Sequence, residues 1–118
     1  MAKSVTLYGI PNCDTVKKAR NWLDGAKVAY VFHDYRADGL ERAKVEEWID
    51  KAGLDVVLNR QSTTFKALSD EEKAGMTRKK AVALMLAQPT AIKRPVLEQG
   101  ATLLFGFKPD IYADAVKS

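Results

Sequence analysis

The sequence predicts an α/β domain built on one mixed sheet, and three observations predict it. Two short apolar runs, Val5-Thr6-Leu7-Tyr8 and Val28-Ala29-Tyr30-Val31-Phe32, flank a stretch with helical spacing. A long middle stretch keeps the helical period. After Pro89 the period changes back, and two further β-favouring runs meet at a glycine-containing turn.

The first run is closed by Gly9 and Pro11 and reads as a buried strand. From Asp14 onward Val16, Ala19, Trp22 and Leu23 share one helical face, with Lys17, Lys18 and Arg20 mostly on the other, and Gly25 is the expected stop. The second run, Val28–Phe32, completes a strand, helix and strand, which implies parallel pairing. His33-Asp34-Tyr35-Arg36 then leads into the helical middle, where Leu40, Val45, Trp48, Ile49 and Ala52 form a stripe closed by Gly53. A second helical piece around Val56 to Leu58 ends at Asn59-Arg60, and Gln61-Ser62-Thr63-Thr64 reads as a polar turn. Ser69 and Glu72 have capping-box spacing, and Thr77 is the expected cap of a helix to Ala87 whose Ala81, Leu84 and Met85 face the core. Val96-Leu97-Glu98 and Ala101–Phe105 about Gln99-Gly100 predict an antiparallel hairpin. Gly106 and Pro109 lead to a last helix, Asp110 to Val116, with Ile111, Ala115 and Val116 expected to face inward. The order β-α-β, helices, β-β-α is a thioredoxin-like (glutaredoxin-like) mixed sheet of about four strands with a helical insertion over about 38–88.

Composition narrows the function classes. A chain of 118 residues is expected to form a single domain, 1–118, with a core that needs no disulfide or metal staple. One cysteine excludes a disulfide within the chain, and one cysteine with one histidine gives no metal-ligand spacing. The net charge of +4 is dispersed among acidic residues. Its densest cluster, Arg78-Lys79-Lys80, reads as a solvated helix face, so no nucleic-acid partner is expected. Met1-Ala2-Lys3-Ser4 leads straight into the first strand, and no apolar stretch approaches the ~20 residues that span a bilayer. The expectation is a cytoplasmic monomer with no membrane partner.

The chain's one thiol, Cys13, sits where the first strand gives way to the first helix. A helix N-terminus has unpaired N–H groups and partial positive charge, which favour a thiolate, the nucleophilic form. That contribution is roughly 0.3–1 kcal/mol when exposed and up to ~2 when partly buried, against about 1.4 kcal/mol for each pKa unit. Strong activation therefore asks for cations from elsewhere in the chain. The plainer alternative is a lone cysteine that packs as a small inert hydrophobe.

The stretches Tyr8-Gly9-Ile10-Pro11-Asn12-Cys13-Asp14-Thr15, Asn59-Arg60, Ile92-Lys93-Arg94-Pro95-Val96-Leu97 and Gly106-Phe107-Lys108-Pro109 span essentially the whole chain. Together they resemble the arsenate reductase (ArsC) family, which includes the Spx and YffB branches. The first stretch, continued through Val16-Lys17-Lys18-Ala19, is most similar to the YffB branch. The resemblance implies that Cys13 is the nucleophile and that Arg60 and Arg94 approach it, stabilising the thiolate and binding an oxyanion or a glutathione carboxylate by paired hydrogen bonds. Taken alone, each arginine would read as a surface residue. The resemblance also makes Pro95 the proline that faces the active cysteine, commonly cis, although by itself it would be an ordinary start of an edge strand. Asn12 and Thr15 would orient the thiolate, or simply cap the turn and the helix.

Three departures bear on substrate. Where arsenate reductases carry a histidine four residues before the cysteine and a serine three after it, this chain has Gly9 and Val16. A third family arginine is matched by Lys108, which keeps the charge but loses the bidentate fork. The resemblance then implies a glutathione-dependent thiol reductase with no bound cofactor, glutathione as co-substrate, a small oxidised molecule or mixed disulfide as substrate, and glutaredoxin as a further partner. Arg60, Arg94 and Lys108 would hold the anionic end. The alternatives are arsenate reduction with glutathione and glutaredoxin, and a Spx-like regulator that binds RNA polymerase; Val16 stands where those regulators have the second cysteine of Cys-x-x-Cys.

Overall fold

The computed structural model describes residues 5–11, 13–100 and 102–116. It divides into two compact units, one from the residues up to Gly39 and from Arg94 onward, the other from Leu40–Lys93.

The first unit is a four-stranded mixed sheet in the order β2-β1-β3-β4, with β1 Val5–Gly9, β2 Tyr30–Asp34, β3 Val96–Gln99 and β4 Thr102–Phe105. Strand β1 pairs parallel with β2 and antiparallel with β3, and β3 pairs antiparallel with β4. Side chains alternate across a strand, so the register sorts them into two faces. One face carries the row Phe32, Leu7, Leu97 and Leu104. Ala19 and Leu23 of α1, Asp14–Gly25, pack there with Tyr112 of α8, Pro109–Val116. Trp22, Val28 and Phe107 close this core at its margin. The opposite face carries His33, Tyr8, Val96 and Phe105 in one row.

Three expectations shift here. The second strand starts at Tyr30, not Val28, and runs on to Asp34. Lys27 takes a positive φ of 60° and the Val28 N–H returns to the Leu23 carbonyl at 3.0 Å, so Val28 completes the helix end and packs from the turn. The hairpin closes on the pair Gln99 and Thr102, with Gly100 at φ 61°, one residue later than expected; Ala101 lies outside the described residues. In α8, Ile111 is exposed at 45%, and the inward residue is Tyr112, whose ring meets Phe107 and Trp22 edge-on at 4.9 and 5.8 Å. The larger aromatic claims the core face, and its neighbour in the helix turns outward. The Val116 side chain is outside the described set.

The helix α2, Tyr35–Asp38, follows β2, capped by the Asp34 carboxylate accepting from the Arg36 N–H. The second unit holds α3 Arg42–Ala52, α4 Leu54–Val57, α5 Thr63–Lys66, α6 Asp70–Ala74, α7 Arg78–Ala87 and a 3-10 turn at Pro89–Ala91. Trp48 is fully buried, as are Val45, Val57, Ala81, Met85 and Ile92. The Ser69–Glu72 capping box and the Thr77 cap both form. The predicted polar turn is instead a short helix, because the Ser62 hydroxyl accepts the Phe65 N–H and starts α5. An isolated bridge between Leu58 and Ile92, flanked by bonds from Asn59 N–H to Ala91 O and from Lys93 N–H to Val57 O, brings the two ends of this unit together. Among the described residues, no helix is long and apolar enough to cross a membrane.

Tyr112 ties α8 to the sheet: its hydroxyl donates to the Gly106 carbonyl at 3.0 Å, and the Gly106 N–H donates to the Pro95 carbonyl at 2.9 Å. Burial pushes its phenol above the ordinary tyrosine value. The folded state therefore holds this proton after the unfolded state has released it, so the stabilising contribution is complete below about pH 10 and declines above it. Urea denaturation at rising alkaline pH is expected to show stability falling, with up to about 1.4 kcal/mol per pH unit traceable to this one group. Tyr112→Phe is expected to flatten that slope by the same share, at a cost of about 1 kcal/mol near neutrality for the lost hydrogen bond.

Candidate thiol site

Strand β1 ends at Gly9, and the chain reaches α1 through Ile10 and Pro11. Cys13 is the N-cap of that helix, extended at φ −96° and ψ 127°, with its carbonyl accepting the Lys17 N–H at 2.9 Å. Its own N–H reaches back to the Ile10 carbonyl at 3.4 Å, which closes the turn. The side chain makes no capping hydrogen bond to the helix, and the residue is half-buried. A thiol is a weak acceptor, so the first-turn N–H groups keep their capacity for an anion at this position. Asp14 adds a carboxylate to the same turn, so the local field depends on which cations stand nearby.

The sheet register says which residues share this end of the first unit. The β1–β3 ladder pairs Tyr8 with Val96. Continued past the end of the ladder, that alignment brings Pro95 level with Gly9 and, two residues on, Arg94 level with Ile10. The Arg94–Pro95 peptide bond is cis, Pro95 is buried and Arg94 is half-buried. Cys13, Arg94 and Pro95 thus all lie in the first unit, at the C-terminal end of the central strand.

The remaining predicted residues are distributed differently. Thr15 is exposed in the first turn of α1, and Lys108 is exposed just before α8, where its carbonyl accepts the Tyr112 N–H. Asn12 lies outside the described residues. Arg60 belongs to the second unit, where its Nη2 donates to Asp55 Oδ1 at 3.0 Å and its guanidinium stands 5.4 Å from the Phe65 ring centre.

Sequence reasoning passed over a polar cluster on the sheet face beside Arg94. The Tyr8 and His33 rings, paired across the parallel ladder, approach to 4.9 Å, and Tyr35 stacks on Tyr8 at 6.3 Å. His33 Nε2 donates to the Gly39 carbonyl at 2.7 Å, which fixes that nitrogen as the protonated one. The Tyr8 hydroxyl donates to Glu98 Oε1 at 2.8 Å. Tyr35 is buried, and burial is the main cause raising its phenol well above the ordinary range; Tyr8 and Glu98 push the same way and the Arg94 guanidinium pulls against them. Tyr8, Arg94 and Glu98 thus all act on Tyr35. The sequence carries no local signal for this cluster, because the parallel register that sets Tyr8 beside His33 belongs to the assembled sheet.

Gly9 and Val16, the two departures next to Cys13, turn out to be one feature. A Cβ built on Gly9 would lie 2.8 Å from Val16 Cγ2 and 3.4 Å from Cγ1. Both residues are buried, and valine is stiff at χ1 in a helix, so the methyls cannot swing aside. Glycine at the strand end lets the first turn of α1 seat directly on β1. No larger side chain fits at position 9 while valine is at 16.

A half-buried thiol at a helix N-cap and a cis proline just before β3, on a β2-β1-β3-β4 sheet, define a thioredoxin-like protein. The chain belongs to the ArsC family, whose model matches residues 8–115. It is similar to a solved YffB protein, 55% identical with a TM-score of 0.89, covering 95% of this chain and 98% of that one. An uncharacterised protein of Haemophilus influenzae is 39% identical over 94% of this chain and 97% of its own length. The regulatory protein MgsR of Bacillus subtilis is 27% identical over 92% of this chain and 87% of its own.

The Gly9–Val16 contact makes a stability prediction. Gly9→Ala is expected to destabilise the protein by about 1–3 kcal/mol through overpacking. In a Val16→Ala background the same change is expected to cost less by at least about 1 kcal/mol, since the clashing methyls are gone. Equilibrium denaturation of the four variants of this cycle measures the coupling; strictly additive costs would show that the two residues do not share the space.

Proposed function

We propose that this protein is a glutathione-dependent thiol–disulfide reductase that works through Cys13 alone. The observation that carries the reading is the state of that residue: a half-buried thiol at a helix N-cap whose side chain is not used to cap the helix. Arg94, in the same unit and level with the strand end from which Cys13 follows, supplies a cation that the helix dipole lacks. A guanidinium keeps its charge at any relevant pH and presents paired donors to a carboxylate.

In the first step the Cys13 thiolate attacks the glutathionyl sulfur of a mixed disulfide R–S–S–G. The Cys13–glutathione disulfide forms as the S–S bond of the mixed disulfide breaks, and the released R–S⁻ thiolate takes a proton from water. A second glutathione thiolate then attacks the enzyme-bound glutathionyl sulfur, giving oxidised glutathione and returning the Cys13 thiolate. Cys13 is the chain's only cysteine, so resolution comes from outside, from glutathione or a glutaredoxin. Such chemistry belongs in a reducing, glutathione-containing compartment, the cytoplasm. Arg94, Thr15 and Lys108 are the first-unit groups proposed to hold the anionic ends of glutathione, and Asn12 keeps the same role from its sequence position. Arg60, paired with Asp55 in the second unit, enters the reading only through the family resemblance.

Arsenate is the less favoured substrate. A histidine at position 9 has no space against Val16, and Lys108 offers a point charge where a bidentate donor would grip an oxyanion. The regulator reading has its own support in the similarity to MgsR. A one-cysteine chain cannot form an internal disulfide switch, so that role would rest on binding RNA polymerase without redox sensing.

Incubation with a glutathionylated peptide, followed by mass spectrometry, tests the proposal. The expected result is one glutathionyl group on Cys13, removed by added glutathione and absent in Cys13→Ser. Arg94→Ala is expected to slow adduct formation about tenfold, the size of one lost charge-assisted contact. A wild-type chain that stays unmodified, and that co-purifies with RNA polymerase, would shift the assignment to the regulator class.

A further inference from the structure

The helix that begins at Cys13 carries its charges in an order that works against its own stability. Acids near the N-terminus and bases near the C-terminus stabilise a helix. In α1 the bases Lys17, Lys18 and Arg20 stand in the N-terminal half, the last turn has no base, and Asp24 lies next to the C-terminal end. Asp14 alone sits where the dipole favours it. A local preference overridden in this way marks a place where another demand has won.

The three bases stand in different relations to the thiol. Arg20 is committed to the sheet: its Nε donates to the Tyr30 hydroxyl at 3.3 Å, and its guanidinium lies 4.2 Å from the Phe32 ring centre. Lys18 stands four residues after Asp14, the spacing at which a helix sets a base beside an acid. Lys17 stands in that same relation to Cys13, and the bond from the Lys17 N–H to the Cys13 carbonyl at 2.9 Å fixes the two residues one turn apart. Helical side chains lean toward the N-terminus, so the Lys17 stem extends over the turn that Cys13 begins. Lys17 is exposed and Cys13 half-buried, so the ammonium belongs to the solvent side of the thiol, the side from which a disulfide approaches.

We propose that Lys17 is a specificity-determining residue that selects disulfides bearing a carboxylate near the reacting sulfur, as an acidic peptide does in the R group of R–S–S–G. This role rests on the thiol chemistry assigned to Cys13 above and adds the charge of the substrate. Lys17 makes no covalent bond. It raises the local concentration of an anionic disulfide beside the thiol, and the helix gives up part of its favourable charge order in exchange.

Two chromogenic disulfides test this without glutathione: dithiobis(nitrobenzoate), an anion, and dithiodipyridine, which is neutral. With either, the Cys13 thiolate attacks one sulfur, the S–S bond breaks, and the aryl thiolate released is read by its absorbance. The ratio of the two rates cancels general changes in thiol reactivity. At low salt Lys17→Gln is expected to lower the ratio about threefold and Lys17→Glu about tenfold, as for exposed charges about a turn apart. Both differences are expected to fade at about 1 M salt, where screening acts within ~3 Å. Lys27→Gln removes the same charge just past the far end of α1 and is expected to leave the ratio unchanged. Lys17→Glu is also expected to keep or raise the thermal midpoint, because it restores the favourable charge order while it slows the anionic reagent. An unchanged ratio in both Lys17 variants overturns the proposal. So does an equal fall in Lys27→Gln, which would be an effect of net charge, or a fall that accompanies a lowered thermal midpoint. With glutathionylated peptides, the KM of an acidic peptide is expected to rise about threefold in Lys17→Gln, with kcat and the constants of a basic peptide little changed. A protein that shows the expected pattern with the chromogenic disulfides and leaves both glutathionylated peptides untouched sustains the role of Lys17 and rejects the glutathione reading.

Discussion

The structure of the first unit depends on one constraint: β1 is hydrogen-bonded on both sides while the first turn of α1 rests on its end. Pairing with β2 and β3 leaves β1 no lateral freedom, and alternation then commits Leu7 to the apolar core and Tyr8 to the opposite face. The approach of α1 is possible because Gly9 has no side chain where the Val16 methyls lie. From that contact the helix start, the N-cap position of Cys13 and the level of the Arg94–Pro95 peptide all follow through short covalent connections and one register. A slip of one residue would reverse the faces of every strand residue and separate the thiol from the proline.

The two faces of the sheet have different chemistry. The side that receives α1 and α8 is mainly apolar, and the Tyr112 hydroxyl there donates to the Gly106 carbonyl. The other side gathers two phenols, an imidazole and a carboxylate, with Arg94, just before β3, acting on Tyr35. The bonds from His33 to Gly39 and from Tyr8 to Glu98 fix the direction of these two side chains.

The departures from the arsenate reductase pattern are physically linked. Gly9 and Val16 read in sequence as two separate losses, of a histidine and of a serine. In space they are one packed contact, so a histidine at position 9 would require Val16 to give way. This favours thiol–disulfide exchange, in which the attacking and leaving groups are sulfurs, over chemistry that needs several donors converging on a tetrahedral oxyanion. Arg60 illustrates a different point: its guanidinium already has Asp55 and the Phe65 ring for neighbours within the second unit.

Sequence by itself determined the fold class, the order of elements and the place of the thiol. Those features are written in local signals: the change of period between Tyr8 and Val16, the Ser69–Glu72 and Thr77 caps, and the glycine turn between the last two strands. It also marked Arg94, Pro95 and Lys108, through resemblance and not through any local rule. Tertiary structure decided the rest, because the deciding contacts lie between residues far apart in the chain. Val28 became a helix end when its N–H found Leu23, and Tyr112 took the inward place expected for Ile111 because a cavity shaped by Trp22 and Phe107 suits a ring. The Tyr8–Glu98 bond joins residues at opposite ends of the chain, and no periodicity within either strand announces it. Which side chains a strand buries is local information; which partners they meet there depends on register, and register is a property of the assembled sheet.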